Sequence, residues 1–201
     1  LIFATEPIMT SFRQNGYGVA EQLLPLELVE ALLRYAKEQR SNQKFTPANV
    51  GKGEFKTRDA AIRSDEIFWI DDWTHPTLLM FDELLSALQV ELKKCFLPIK
   101  RYECHLAHYH PNGHYQRHRD RHKNTKHRLV SCVFYLSPWK AGQGGELQLY
   151  LEDEYMVQVQ PIPGRLVLFD SELEHEVKTT EIDRWSLTSW FRDDLVAGLF
   201  L

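Results

Sequence analysis

The apolar positions of this chain change their period once, at Pro98. Before it they recur at helical spacing. From Pro25 the positions Leu28, Leu32 and Tyr35, flanked by Glu27, Glu30 and Lys37, predict a helix to about Gln39, with Pro25 suited to its first turn. A second helix is predicted from Pro76, where Leu78, Phe81, Leu85, Leu88 and Leu92 repeat every three or four residues until Pro98 stops it. Gly16 to Ala20 and Ile67 to Ile70 read as short strands. The stretch from Ser41 to Arg58, with Pro47, Gly51 and Gly53 among polar residues, reads as a long loop and a lid over substrate.

After Pro98 the pattern becomes alternating or continuously apolar in runs of strand length. The runs are Arg101 to Tyr109, Leu129 to Leu136, Glu146 to Tyr150, Tyr155 to Gln160, Arg165 to Phe169 and Trp185 to Phe191, with a shorter one around Val177. Between them lie Gly142 to Gly145, Glu152 to Glu154 and Pro161 to Gly164, rich in residues that bend the backbone. Two amphipathic helices followed by short antiparallel strands predict a mainly β fold with supporting α: a double-stranded β-helix, or jelly-roll, barrel with the N-terminal helices packed on one face. One domain is expected over residues 1–201, with helical support and lid elements in 1–98 and the barrel core in 99–193.

A net charge of -4 and 43% hydrophobic residues describe a globular chain without the basic excess that nucleic acid demands. The three cysteines, Cys95, Cys104 and Cys132, lack C-x-x-C spacing, so free thiols in a reducing compartment are expected. Neither a signal-like segment nor an apolar run of about 18 residues is present, so a cytoplasmic, membrane-free monomer is expected.

Chemistry concentrates from Tyr109 to Asp120, which ends in His118-x-Asp120, two metal ligands from one short piece of backbone. A third ligand is available downstream in His175, and Arg184 opens the last apolar run. Two histidines and a carboxylate make the facial triad that leaves positions of a non-haem Fe(II) open. A structural zinc site is the rival, but it favours cysteine-rich closed sets that this chain lacks.

These pieces resemble the Fe(II)- and 2-oxoglutarate-dependent dioxygenases, and among them the intracellular prolyl 4-hydroxylases of the oxygen-sensing type and their bacterial relatives. The matching segments are Ile62-Arg-Ser-Asp65 with Trp69-Ile, Tyr109, Tyr115-x-x-His118-x-Asp120, Ser-Cys-Val-Phe-Tyr135-Leu with Trp139, Gly144-Gly145, His175-Glu-Val, and Arg184-x-x-x-Thr188-x-Trp190. The resemblance covers about Gly16 to Asp193; the loop from Tyr109 to Tyr115 is about one residue shorter than the family's.

The resemblance implies Fe(II) on His118, Asp120 and His175, with 2-oxoglutarate and O2 as cosubstrates and ascorbate as a reductant. It places Arg184 on the distal carboxylate of 2-oxoglutarate, where a guanidinium offers two parallel hydrogen bonds and collagen-type secretory enzymes carry lysine. Tyr135 and Thr188 would give hydroxyls to the same carboxylate, and Tyr109 would lie nearer the iron. The implied substrate is a prolyl residue of a cytosolic protein, with the translation machinery as one source. A dioxygenase for a free amino acid or other small molecule, and a catalytically silent binding barrel, stay open. Trp190 stands where alkylation-repair relatives carry a second arginine, against a nucleic-acid substrate. His105, His108, His110, His114, His122 and His127 are expected to be non-ligands, most of them exposed or merely polar. The basic residues Arg117, Arg119, Arg121, Lys123, Lys126 and Arg128 around Asp120 are expected to be a solvated face, with attraction of the dianionic cosubstrate as the alternative.

Overall fold

The computed structural model describes residues 3–48, 59–123, 125–151 and 155–195. The leucine spacing of the second expected helix produces α3's apolar stripe: the helices among the described residues are α1 (Glu6–Asn15), α2 (Leu26–Ser41) and α3 (Pro76–Lys94), and α3 buries Leu78, Phe81, Leu84, Leu85, Leu88 and Leu92. Pro76 opens it, and His75 caps it by accepting the Thr77 N–H at 3.2 Å. Truncating one of those leucines to alanine would cost about 2–5 kcal/mol. In α2 the buried stripe is Val29, Leu32, Tyr35, Ala36 and Gln39. Helix α1 was not expected. Its stripe is only Ile8, Met9 and Phe12, too short to register as a period, and the tertiary packing of those three holds it.

The strands among the described residues are, in chain order, β1 (Tyr17–Ala20), β2 (Thr46–Pro47), β3 (Glu66–Trp69), β4 (Arg101–Tyr109), β5 (Tyr115–His118), β6 (Arg128–Tyr135), β7 (Leu147–Tyr150), β8 (Met156–Val159), β9 (Leu166–Asp170), β10 (Glu174–Val177) and β11 (Arg184–Arg192). They form a seven-stranded sheet in the order β1-β9-β6-β11-β4-β3-β2 and a four-stranded sheet in the order β5-β10-β7-β8. Every pairing is antiparallel. Strand alternation divides the core in two. Leu106, Val130, Phe134, Leu168, Leu187 and Phe191 face the three helices. Ala107, Tyr109, Val133, Tyr135, Val167 and Phe169 face inward, against Leu147, Leu149, Val159 and Val177 of the smaller sheet. The result is the expected jelly roll with helices on one face.

Two readings of the chain between elements change. β5, which follows the expected loop from Tyr109 to Tyr115, was not among the expected runs: its polar sequence Tyr-Gln-Arg-His carries no apolar alternation and is held by pairing with β10. In the expected lid, Thr46 and Pro47 pair with β3, while residues 49–58 lie outside the described residues. No helix among the described residues is long and apolar enough to cross a membrane. All three cysteines are free; Cys104 and Cys132 are buried, and burial pushes the Cys104 thiol up to about 12.

Candidate functional site

Pairing of β5 with β10 puts His118 and His175 opposite each other in register, with ring centroids 4.2 Å apart. Each ring donates Nδ1–H to the carbonyl oxygen of the second residue before it: His118 to Gln116 at 2.8 Å, His175 to Leu173 at 2.9 Å. That fixes the tautomer in which both Nε2 atoms carry a lone pair. Asp120, immediately beyond β5, brings Oδ1 to 3.7 Å from His118 Nε2 and Oδ2 to 3.5 Å from His175 Nε2. The three ligand atoms lie within 4.8 Å of one another, so one ion can touch all three.

The electrostatics suit that use. Burial and the neighbouring His118 push His175 down to about 4, so its ring is neutral and a lone-pair donor at neutral pH. Burial alone would raise Asp120, but the two imidazoles outweigh it and hold the carboxyl well below the usual range. Asp120 Oδ2 also accepts from Ser131 Oγ at 2.7 Å, and Ser131 Oγ lies 2.8 Å from Ser171 Oγ. Ser131 opens the matching segment Ser-Cys-Val-Phe-Tyr135-Leu but has no role assigned to it there, and Ser171 has none either. Tyr115 stacks on His118 at 3.5 Å between ring centroids, and the Arg63 guanidinium carbon lies 4.3 Å from the Tyr115 ring while pairing with the buried Asp65 at 2.7 Å.

Arg184, at the start of β11, is 3% exposed and opposes Tyr109 in register. Its Nε donates to Gly145 O at 2.8 Å and its Nη1 to Ser186 Oγ at 3.4 Å. Among the described residues no carboxylate pairs with it. A buried guanidinium without an anion is costly, so the arrangement calls for one. The Tyr109 and Tyr135 rings lie 5.1 and 5.0 Å from its central carbon, and the Tyr135 hydroxyl is buried without a hydrogen-bond partner. A guanidinium without a counter-anion beside a phenol without a hydrogen-bond partner fits a dicarboxylic acid such as 2-oxoglutarate. Gly145 makes this approach possible: its φ is +78°, and a Cβ there would sit 3.0 Å from Arg184 Cδ. Thr188 lies further along the same face of β11, half-buried and opposite His105.

Two of the remaining histidines depart from the expected exposure. His105 and His108 are buried at 5% and 1% exposure, and His108, His110 and Glu66 form a second tight cluster of ligand-type atoms. Sequence spacing hid it because Glu66 arrives from another strand. His105 sits between Trp69 and Trp190, 5.0 Å from each ring, leaving His105 Nδ1 and Trp190 Nε1 without partners. Much of the basic cluster around Asp120 is spent on ion pairs: Arg117 with Glu174, Arg121 with Glu172 at 3.0 Å, and Arg128 with Glu103 at 2.7 Å.

A family model of the 2OG-Fe(II) oxygenase superfamily matches residues 104–192. A prolyl-4-hydroxylase from Pseudomonas putida is 33% identical, with a TM-score of 0.85 over 92% of this chain and 97% of that one. A Trichoplax adhaerens prolyl hydroxylase, solved with a peptide fragment of the hypoxia inducible factor oxygen degradation domain, is 24% identical with a TM-score of 0.82 over 94% and 89%. Prolyl 4-hydroxylase from Phytophthora capsici is 25% identical with a TM-score of 0.74, covering 92% of this chain and 61% of that one.

Proposed function

The chain belongs to the 2OG-Fe(II) oxygenase superfamily and is a 2-oxoglutarate-dependent dioxygenase of the prolyl hydroxylase type; from that premise we propose that it hydroxylates a prolyl residue within a protein. The observation that carries the cosubstrate half of this reading is the buried, anion-free guanidinium of Arg184 beside the unpartnered hydroxyl of Tyr135. The substrate half is supported by the similarity to the Pseudomonas putida prolyl-4-hydroxylase along nearly the whole of both chains.

In this reading His118, Asp120 and His175 hold Fe(II). When bound, Fe(II) with 2-oxoglutarate and O2 supplies oxidative decarboxylation to succinate and CO2 together with insertion of one oxygen atom into a substrate C–H bond. Arg184 clamps the distal carboxylate through its Nη edge, and Tyr135 donates its O–H to the same group. Ser131 keeps Asp120 turned toward the two imidazoles, and the two backbone carbonyls keep both Nε2 lone pairs aimed at the ion. Thr188 and Tyr109 line the same interior and restrict how the cosubstrate lies. Free thiols at Cys104 and Cys132 agree with a target in a reducing, cytosolic compartment.

The experiment incubates the iron-loaded enzyme with 2-oxoglutarate and cytosolic proteins, translation factors among them, and maps peptides by mass spectrometry. A prolyl residue gaining the mass of one oxygen atom, with free L-proline a poor substrate, is the expected result. Efficient turnover of free L-proline and no modified protein would replace this reading with a small-molecule dioxygenase.

A further inference from the structure

Behind the sheet that carries Arg184, His108 and His110 project from the end of β4 on the same side, and Glu66 is the register partner of His108 on β3. Glu66 Oε2 lies 3.7 Å from His108 Nδ1, and Glu66 Oε1 lies 3.4 Å from His110 Nε2. Nitrogen and oxygen ligands at about 2.1 Å from a tetrahedral ion stand about 3.4 Å apart, so these gaps are close to what an ion would impose. The cluster around Asp120, with gaps of 3.7 and 3.5 Å, is spaced in the same way.

A second, independent feature points to a ligand. His108 donates Nε2–H to Asp183 Oδ1 at 2.6 Å, which leaves its Nδ1 with the lone pair. That atom is buried and has no hydrogen-bond partner. A carboxylate holding one ring nitrogen while the other is left bare is the arrangement that orients metal-binding histidines.

We propose that Glu66, His108 and His110 form a second metal site, for a divalent ion of the zinc class, oriented by Asp183 and separate from the iron cluster. Arg40 holds this place in the metal-free protein: its Nε donates to Glu66 Oε2 at 2.8 Å and its Nη2 lies 3.3 Å from His110 Nε2. Arg40 is the counter-ion of Glu66 here, and a divalent ion would take over that role. Arg40 has somewhere to go, since it also lines a cavity of 620 Å³ walled by Lys37, Trp139, Asp183 and Trp185. An ion here would pin β3 to β4 at the end where Tyr109 lies between the two histidines and Asp183 precedes Arg184.

Equilibrium dialysis against Zn2+ with elemental analysis tests this on the full chain. Wild type should hold one more equivalent than His110→Ala or Glu66→Gln, whatever the iron cluster retains, so this inference can fail without touching the proposed activity. His110 is 43% exposed, which makes its truncation tolerable, and Glu66→Gln keeps the shape of the side chain. Arg40→Ala should tighten the extra equivalent about tenfold, since the competing cation is gone. With Co2+ as the probe, the visible absorption of an imidazole-ligated ion should fall by one site's contribution in His110→Ala. Equal Zn2+ content in wild type and both ligand variants, or weaker Zn2+ binding in Arg40→Ala, would overturn the proposal.

Discussion

His118 and His175 are cross-strand partners whose rings stand 4.2 Å apart, each held by its Nδ1 to a backbone carbonyl. Their Nε2 atoms are therefore aimed by the β5–β10 pairing. Replacing His118 or Asp120 by alanine should abolish 2-oxoglutarate turnover while far-ultraviolet circular dichroism stays unchanged. Retained turnover in both variants would remove the iron assignment.

Ser131→Ala tests the support beneath the carboxylate. With its oxygen gone, Asp120 Oδ2 loses a 2.7 Å hydrogen bond and the freedom of the carboxylate grows. Iron affinity or activity should drop about 10- to 100-fold, measured by metal titration. An unchanged affinity would mean that the two imidazoles alone orient Asp120.

Arg184→Lys keeps the charge and loses the planar fork. One charge-assisted hydrogen bond is worth about 1.5–3 kcal/mol, so 2-oxoglutarate should bind roughly 10- to 100-fold more weakly, with metal content unaffected. Isothermal titration of the metal-loaded protein reads both quantities. Equal affinity would assign the carboxylate to another cation.

Tyr135→Phe should act with opposite signs on two measurements. In the free protein it removes a buried hydroxyl that has no partner, which costs about 1–3 kcal/mol, so the variant should be as stable as wild type or more so. With cosubstrate bound it removes a donor, and the KM for 2-oxoglutarate should rise severalfold. Loss of stability together with an unchanged KM would show that the hydroxyl serves the fold instead.

The His105 ring should make the metal-free protein acid-sensitive. Burial, reinforced by Arg63 and Arg128, holds its pKa well below 6.5, so the folded state keeps it neutral while the unfolded chain takes up a proton. Its contribution is full above about pH 6.5 and is lost as pH falls below that value, with a slope of up to about 1.4 kcal/mol per pH unit for one proton. Urea titrations at several pH values should show a smaller slope in His105→Gln. An identical slope would place the titrating group elsewhere.

The sequence by itself determined the elements whose burial pattern is local. The leucine stripe of α3 and the apolar runs of β4, β6, β9 and β11 are legible because a helix or strand with one buried face must repeat its apolar residues at the backbone's own period. The motif His118-x-Asp120 was legible for a similar reason, since both side chains leave one short segment. Only the tertiary structure decided what depends on distant strands meeting. Polar β5 has no period of its own and exists through β10. Ser131 reaches Asp120, and Glu66 reaches His108, only because antiparallel registers bring separate segments together. Arg184 stood out as a cation in the sequence; that it is buried without an anion, beside a phenol without a partner, is a property of the packed sheets alone. Spacing along a chain constrains neighbours within a turn or a strand, whereas a site is assembled across strands.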